Sequence, residues 1–344
     1  MRKALCGVAV VVVLAATGVA DAGPPRPLGE ITLFADPAGM VDAPTGIWGG
    51  WFTSQGNDRI GYLDPWTDVM TTYGGRHRDI DGPNHVVRPN GYTWFTNEGN
   101  DRIGRLNSAT GRIRSFADPW GRVSDPGTMA LDRDQGVWFT NCHGDRVGHV
   151  THDGRFTFVQ LGHGLNCRVL RLGNEGHLWT AVGDEGRLYT VDPRTGTVRP
   201  RNRCRVNELA TIEVVELAIH YYGDLHCLVG GTPMGSPSTG ARDWYVVHVD
   251  PSTHSQQASF VCTTRDDLGE PVPDLAVTFG GAWVSCVDEM YRLSTWDGDV
   301  QRYGDPEGRV GAITAVSLAG DGRVWFTSTS TDLIGRVVPW DLSE

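Results

Sequence analysis

Short apolar and aromatic runs alternate with polar turns along almost the whole chain, and one of these runs recurs. Its clearest copy is residues 94–106, which reads Trp-Phe-Thr-Asn-Glu-Gly-Asn-Asp-Arg-Ile-Gly-Arg-Leu. Other copies begin 41 to 57 residues apart, clearly at Trp51, Trp138 and Trp325, and more faintly at Trp179, His226 and Trp283. We interpret the chain as seven repeats of one structural unit.

A repeat of this length is typical either of paired helices or of a four-stranded propeller blade. Each unit is rich in Trp, Phe, Thr, Val and Ile, and is broken every few residues by Gly, Asp-Pro or Asn-Asp. This composition favours strands and turns. No unit offers a dozen residues with apolar positions at helical spacing and without glycine. The pattern therefore predicts an all-β, seven-bladed propeller with four strands per blade.

The two ends of the chain complement each other. Residues 31–39 resemble residues 115–121 and 302–308, which end their own units as fourth strands, whereas the seventh unit stops without a fourth strand. We expect residues 31–35 to pair beside the C-terminal strand and close the ring, which removes two exposed sheet edges. Residues 31–344 then form one propeller, preceded by an extended, proline-rich lead-in at residues 23–30.

The first 22 residues have the order of a secretory signal. Arg2 and Lys3 precede an apolar run at residues 8–16, and Ala-Asp-Ala follows at residues 20–22. The run is too short to span a bilayer. We therefore expect a secreted or otherwise extracytoplasmic protein without a membrane span, and a monomer because a closed ring needs no partner.

Six cysteines remain after the predicted signal, as expected in an oxidising compartment. Successive pairs are separated by 25, 23 and 24 residues and reach from one repeat into the next, which predicts three disulfides between blades: Cys142 with Cys167, Cys204 with Cys227, and Cys262 with Cys286. A zinc site formed by Cys142, His143, His163 and Cys167 is the alternative, although no Cys-x-x-Cys pair is present.

The balance of charge argues against nucleic acid as a partner. The formal charge is −11, and it becomes −12 without the first 22 residues, because 28 basic and 40 acidic residues remain. Such a body repels phosphate backbones, and we identify no basic tract that offsets it.

A ligand site is expected on one face of the ring, near its axis. Because neighbouring strands run antiparallel, the start of each inner strand and the end of each Trp-Phe-Thr strand emerge on the same face. We expect a small molecule or peptide in this central funnel, facing Asn84, His85, Asn97, Glu98, Asn141, His143, Arg168, Asp274 and Ser328. His85 is the strongest candidate for proton transfer, since Asn84, Asn97 and Glu98 lie in the same repeat. The alternative for each Asn and Asp is a turn residue that bonds its own backbone.

The Trp-Phe-Thr, Ile-Gly-Arg-Leu, Thr-Gly and Phe-x-x-Pro runs resemble those of the streptogramin B lyase family, also called the virginiamycin B lyase family, over about residues 31–340. This resemblance implies a seven-bladed propeller that opens a cyclic depsipeptide by elimination across its ester bond. It also implies a histidine base at the start of an inner strand and Mg²⁺ held by glutamates, one of them directly after a Trp-Phe-Thr run.

The family's catalytic set is largely missing from the matching positions. Ser54, Asn97, Asn141 and Ser328 follow the clear Trp-Phe-Thr runs, and none is glutamate. His85 is displaced by one from its expected place, and Glu270 is a weak metal candidate because Val272 and Cys286 replace its companions.

Two functions of different classes are consistent with this sequence. The first is a carbon-oxygen lyase for a cyclic or ester-containing compound, with His85 as base and Asn97 or Asn141 near the oxyanion, and with Mg²⁺ only if the family's chemistry is retained. The second is a non-catalytic exported protein that binds a partner in the funnel.

Overall fold

The structure is a computed structural model, and it describes residues 8–11, 30–34, 36, 38–75, 79–88, 91–141, 143, 145–162, 167–182, 186–220, 223–235, 240–250, 253, 255–278, 281–294, 299–305, 308–320 and 322–338. These residues form seven antiparallel sheets. Each innermost strand contacts the innermost strands of both neighbouring blades, so the sheets close into a ring. The all-β, seven-bladed propeller predicted from the sequence is confirmed. No helix within the described ranges is long and apolar enough to cross a membrane.

Every blade has four strands in the order inner, Trp-Phe-Thr, Ile-Gly and outer. The chain begins with β1 (Val8–Val11) and β2 (Glu30–Phe34). Blades 1 to 3 are β3 (Pro44–Trp48), β4 (Trp51–Ser54), β5 (Arg59–Leu63), β6 (Met70–Gly74); β7 (Pro83–Val87), β8 (Tyr92–Asn97), β9 (Arg102–Asn107), β10 (Arg112–Phe116); and β11 (Pro126–Leu131), β12 (Val137–Asn141), β13 (Arg146–Val150), β14 (Phe156–Gln160).

The remaining blades follow the same order. Blades 4 and 5 are β15 (Cys167–Leu172), β16 (Leu178–Val182), β17 (Arg187–Val191), β18 (Val198–Arg203); and β19 (Glu213–Ile219), β20 (Leu225–Gly231), β21 (Ala241–Val249), β22 (Gln256–Arg265). Blade 6 is β23 (Leu275–Thr278), β24 (Gly281–Cys286), β25 (Glu289–Ser294), β26 (Val300–Tyr303), and blade 7 begins with β27 (Ile313–Leu318), β28 (Val324–Ser328), β29 (Leu333–Val338). In the described ranges the helical turns are Glu98–Asn100 and Asp266–Leu268.

The N-terminal strand completes the seventh blade, as predicted. β2 pairs antiparallel with β29, which places Phe34 opposite Ile334. The Phe34 ring stacks on Trp325 at 6.0 Å, and the Arg336 guanidinium lies over both rings. Blade 2 builds the same stack from its own fourth strand, with Phe116 on Trp94 and Arg105 over both rings. Residues 31–34 are therefore a true fourth strand, and residue 35 lies outside the described residues.

The apolar N-terminal run pairs with the strand that closes the ring. β1 pairs antiparallel along the outer edge of β2. The rest of the predicted signal (residues 1–22) and residues 23–29 of the predicted lead-in lie outside the described residues, whereas Glu30 already belongs to β2. Cleavage near residue 23 stays a prediction.

Two of the three predicted disulfides are present. One joins Cys204, just after β18, to Cys227 in β20, and the other joins Cys262 in β22 to Cys286 in β24. Blades 4, 5 and 6 are thus linked in series. Cys142 and His163, together with the side chain of Cys167, lie outside the described residues, so the third pairing and the alternative zinc site stay predictions.

Candidate functional site

A cavity of about 890 Å³ lies on the axis of the ring and is lined by residues of all seven inner strands. Five of the residues predicted from the sequence line it: Asn84, His85, Glu98, His143 and Asp274. Asp125 and Arg171 line it as well, and so does Glu216. The prediction of a central funnel therefore corresponds to a real cavity with charged walls.

Bulges near the start of the inner strands set which side chains reach this cavity. Six of the seven inner strands shift register there against the Trp-Phe-Thr strand, as β7 does between Pro83 and Val86. The His85 N–H, inside that bulge, donates to the Thr96 hydroxyl at 3.0 Å, and the Asp274 N–H donates to Ser285 in the same way at 2.8 Å. A bulge re-aims side chains. For this reason His85 faces the axis, although it lies one position after Asn84, where the sequence places the start of the inner strand.

The residue after each Trp-Phe-Thr run has a different task. The Asn97 side chain donates to the Asp79 carbonyl and accepts from the Asp81 N–H, and Asn141 bonds Arg122 and Ser124 in the same manner. Ser328 donates to the Val310 carbonyl. All three side chains are fully buried and none is among the cavity-lining residues. They hold the loop that leads into the inner strand of their own blade, so turn chemistry accounts for these three candidates.

Charged side chains from neighbouring inner strands meet in the cavity wall. Arg171 of β15 forms an ion pair with Glu216 of β19 at 2.7 Å. The Glu216 carboxyl also accepts the Leu217 N–H at 2.6 Å. Asp274 accepts the N–H groups of Leu275, at 2.8 Å, and of Val316 in blade 7, at 2.6 Å. The carboxyl groups thus bridge adjacent blades around the axis.

Sequence reasoning missed Arg171 and Glu216. Both stand inside inner strands rather than at their starts, where the sequence predicts the ligand-facing residues. Charged residues inside two inner strands were the available signal, because a charge that is buried in a wall requires a partner. Arg168, which was predicted instead, lies in β15 with its side chain outside the described residues.

Burial has strong effects on the titration of this wall. Burial, followed by the nearby Arg171 guanidinium, lowers the pKa of His85 to about 3, so the imidazole is neutral at physiological pH. Its Nδ1 atom is buried and has no hydrogen-bond partner within the described part of the chain. Burial raises the pKa of Glu216 to about 8 despite the opposing Arg171, and it also raises the pKa of Asp274. The Arg171 guanidinium opposes both upward shifts, as expected for a cation beside two buried carboxyl groups.

The mouth of the cavity is acidic. Asn84 donates a hydrogen bond to Glu98, and His143 lies 3.3 Å from Asp125. Burial raises the pKa of Glu98, and the Asp125 carboxylate raises it further, against the hydrogen bond from Asn84. The register places these groups beside the strand ends, whereas Arg171 lies opposite Trp179, further along its strand. The cavity thus has carboxyl groups at its mouth, whereas Arg171 and its partner Glu216 lie deeper in.

The residues present do not fit a magnesium ion. The described residues contain no group of three or more His, Cys, Asp or Glu side chains that could hold a metal. Glu270, the weak candidate, accepts the Arg265 N–H at 2.6 Å and does not line the cavity. The oxygens of Glu216 and Asp274 already accept N–H donors. Since a hard cation needs several free oxygen ligands at once, we derive no step through magnesium.

Comparison with known proteins confirms the resemblance suggested by the repeat. Residues 32–200 match the sequence profile of the Virginiamycin B lyase family. No curated protein matches the sequence of the chain significantly.

Solved structures extend the likeness of fold to the rest of the chain. A streptogramin B lyase structure is 20% identical with a TM-score of 0.71, over 90% of this chain and 98% of that chain. A selenomethionine-substituted virginiamycin B lyase from Staphylococcus aureus is 16% identical with a TM-score of 0.67, over 86% and 95%. YCF48 bound to D1 peptide is 13% identical with a TM-score of 0.65, over 93% and 97%. At these identities the likeness concerns the fold alone.

Proposed function

We propose that this chain, which resembles the virginiamycin B lyase family in repeat, sequence profile and fold, is an exported binding protein that takes a peptide-like compound into its axial cavity. A cyclic depsipeptide or a short peptide is the class that fits. The observation that carries the proposal is the polarity of the cavity, with Glu98 and Asp125 at the mouth and Arg171 deeper in.

This polarity suits a ligand that has both N–H groups and carbonyl oxygens. Carboxylates at the mouth accept amide or ammonium N–H donors, while the Arg171 guanidinium donates to a carbonyl or carboxylate oxygen. The neutral His85 supplies one more polar atom, because its Nδ1 has no partner among the described residues. The cavity volume of about 890 Å³ lies in the range of small-molecule sites.

The remaining features support export without carrying the proposal. Disulfides persist in oxidising compartments outside the cytoplasm, and two are present here. In the described residues each inner strand contacts both neighbouring inner strands, so the ring has no terminal blade that needs a second subunit, which supports a monomer.

Calorimetric titration with a type B streptogramin and with a linear peptide of similar size tests the proposal. We expect binding by the native protein and a loss of at least tenfold in affinity in the double variant Arg171→Gln with Glu216→Gln, which removes the charges and keeps hydrogen-bonding groups. Arg112→Gln, on the outer strand β10, is the matched control and should bind like the native protein. Absence of binding by the native protein, or equal affinity in the double variant, would contradict the proposal.

A second candidate is elimination across an ester bond, favoured by the unpartnered Nδ1 of His85. In this reaction the imidazole takes a proton from the carbon next to the alkyl C–O bond, a C=C bond forms, and the carboxylate leaves. Asn97 and Asn141 are bound to their loops, so Arg171 is the group available to the leaving oxygen. A pKa of about 3 makes His85 a weak base in the free protein, and therefore binding stands first.

Liquid chromatography with tandem mass spectrometry of the incubated streptogramin separates the two candidates, because retention time and fragments distinguish a linear isomer from the cyclic compound. Elimination predicts a linear product of unchanged mass formula from the native protein and none from His85→Ala. Retained binding without linear product would leave the protein as a binding protein.

A further inference from the structure

Arginines cluster in the last two strands of blade 4 and in the segments next to them. Residues 187–205 contain six of the chain's 29 arginines, namely Arg187, Arg194, Arg199, Arg201, Arg203 and Arg205. The single acidic residue in this stretch is Asp192, whose carboxylate accepts the N–H groups of its own turn at Arg194 and Thr195. The stretch therefore carries a net charge of +5 in a chain of −11. The expectation that no basic tract offsets the acidic charge is wrong for this part of the surface.

Three of these arginines, Arg201, Arg203 and Arg205, line a groove of about 850 Å³ between the outer strands of blades 4 and 5. Its walls are Arg201, Asn202, Arg203, Arg205, Asn207 and Glu208 on one side and Gln256 and Ala258 of β22 on the other. β18 bulges between the pair of Tyr189 with Pro200 and the pair of Arg187 with Arg203. The bulge lets consecutive residues, rather than alternate ones, face the groove.

The groove is held in shape by the backbone of both blades. The Gln256 side chain donates to the Arg203 carbonyl at 2.6 Å and accepts the Arg205 N–H at 3.0 Å, so it ties β22 to the end of β18. The disulfide from Cys204 to Cys227 anchors Cys204, which lies between Arg203 and Arg205. A fixed backbone positions the outward guanidinium groups at little entropic cost to binding.

The guanidinium groups at the two ends of this surface lack protein anions. In the ranges that the structure describes, no carboxylate lies within ion-pair distance of Arg201 or Arg205, and both residues are exposed. Glu208 is the one acidic residue among the groove walls. The surface thus offers more positive charge than the protein itself neutralises.

We propose that this groove binds an acidic polysaccharide. Guanidinium groups bind carboxylates and sulfates in a bidentate manner, and the exposed amides of Asn202 and Asn207 suit sugar hydroxyls. Nucleic acid fits less well, because the acidic body around the groove repels a longer phosphate backbone. The site is distinct from the axial cavity and shares no lining residue with it.

Binding to labelled polygalacturonate and to dextran sulfate, at about 50 mM salt, tests the proposal, because low salt preserves contacts between exposed charges. We expect binding to at least one of them, a steep loss with added salt, and about tenfold weaker binding by the double variant Arg201→Gln with Arg205→Gln. The two polymers distinguish a carboxylate from a sulfate site. The matched control is Arg112→Gln with Arg114→Gln on β10, the outer strand of blade 2, and it should bind within twofold of the native protein.

Several results would overturn the proposal. These are no binding to either acidic polymer, equal binding to neutral dextran, the same loss in the β10 control, or tighter binding to a single-stranded oligonucleotide than to both polysaccharides. Unchanged melting curves of both double variants ensure that a loss of binding reports the groove and not the fold.

Discussion

At the scale of single residues, the glycine of each Ile-Gly run is required by the phenylalanine of the preceding strand. Phe95 lies directly opposite Gly104, and a Cβ atom on that glycine would lie 2.1 Å from the ring. Phe52, Phe139 and Phe326 cover Gly61, Gly148 and Gly335 in the same way. This contact explains why the two motifs keep a constant register.

Gly104→Ala should therefore destabilise the protein. Phe95 is fully buried and its ring has no room to move, so the expected loss in the free energy of unfolding is about 1 to 3 kcal/mol. Chemical denaturation measures it. Gly320→Ala is the control, because a Cβ there meets no atom within 4 Å. Equal stabilities of the two variants would contradict this account of the repeat.

Glu216 should make stability depend on pH. Its pKa is raised from 4.5 to about 8 in the folded protein, so between these values the folded state holds a proton that the unfolded state has released. The contribution of Glu216 to stability is therefore present below pH 4.5 and is lost as the pH rises towards 8. The slope is at most about 1.4 kcal/mol per pH unit.

The measurement is a pair of denaturation series, for the native protein and for Glu216→Gln. The stability of the native protein relative to the variant should fall as the pH rises from 5 to 8. A constant difference between the two proteins across this range would show that the carboxyl does not titrate there.

The polar residues at the strand ends and those inside the inner strands differ in how far the sequence could predict them. His85 and Asp274 were found because they stand at the strand starts where a propeller opens its funnel. Asn97 occupies the predicted end but turns into its own loop, since its amide satisfies two backbone groups there. Arg171 and Glu216 depend on which side of a bulged strand faces the axis. No sequence period gives that, because each bulge shifts the alternation.

At the scale of elements, the seam between β2 and β29 closes the ring by strand pairing and one aromatic stack. This seam was predictable because residues 31–39 repeat the composition of other fourth strands. The pairing of β1 along β2 was not predicted, since its residues were interpreted as a signal and no repeat contains them.

Phe34→Ala should weaken this seam. Phe34 is buried, stacks on Trp325 and lies under Arg336, so its truncation leaves a cavity between blades 7 and 1. We expect the free energy of unfolding to fall by about 3 to 5 kcal/mol. Phe260→Ala is the control, because that ring is half exposed on β22 and should cost far less. A similar loss in both variants, measured by denaturant melts, would argue against the stack as the closing contact.

At the scale of the whole molecule, the ring is not equally strong around its circumference. Disulfides link blades 4, 5 and 6 in series, whereas blade 7 is completed by the hydrogen bonds and side-chain packing of β2. A disulfide that closes a loop of this length stabilises by about 2 to 4 kcal/mol. The ring should consequently open first at the seam.

Hydrogen exchange followed by mass spectrometry in mild denaturant can resolve this order of opening. Peptides from β2 and β29 should exchange before β20, which contains Cys227 of the first disulfide, because local opening at the seam needs no covalent bond to break. Reduction of the disulfides should speed exchange in β20 while leaving β2 and β29 almost unchanged. If β20 of the oxidised protein exchanged as early as β29, the ring would open as one unit. The disulfides would then not determine which part of the ring opens first.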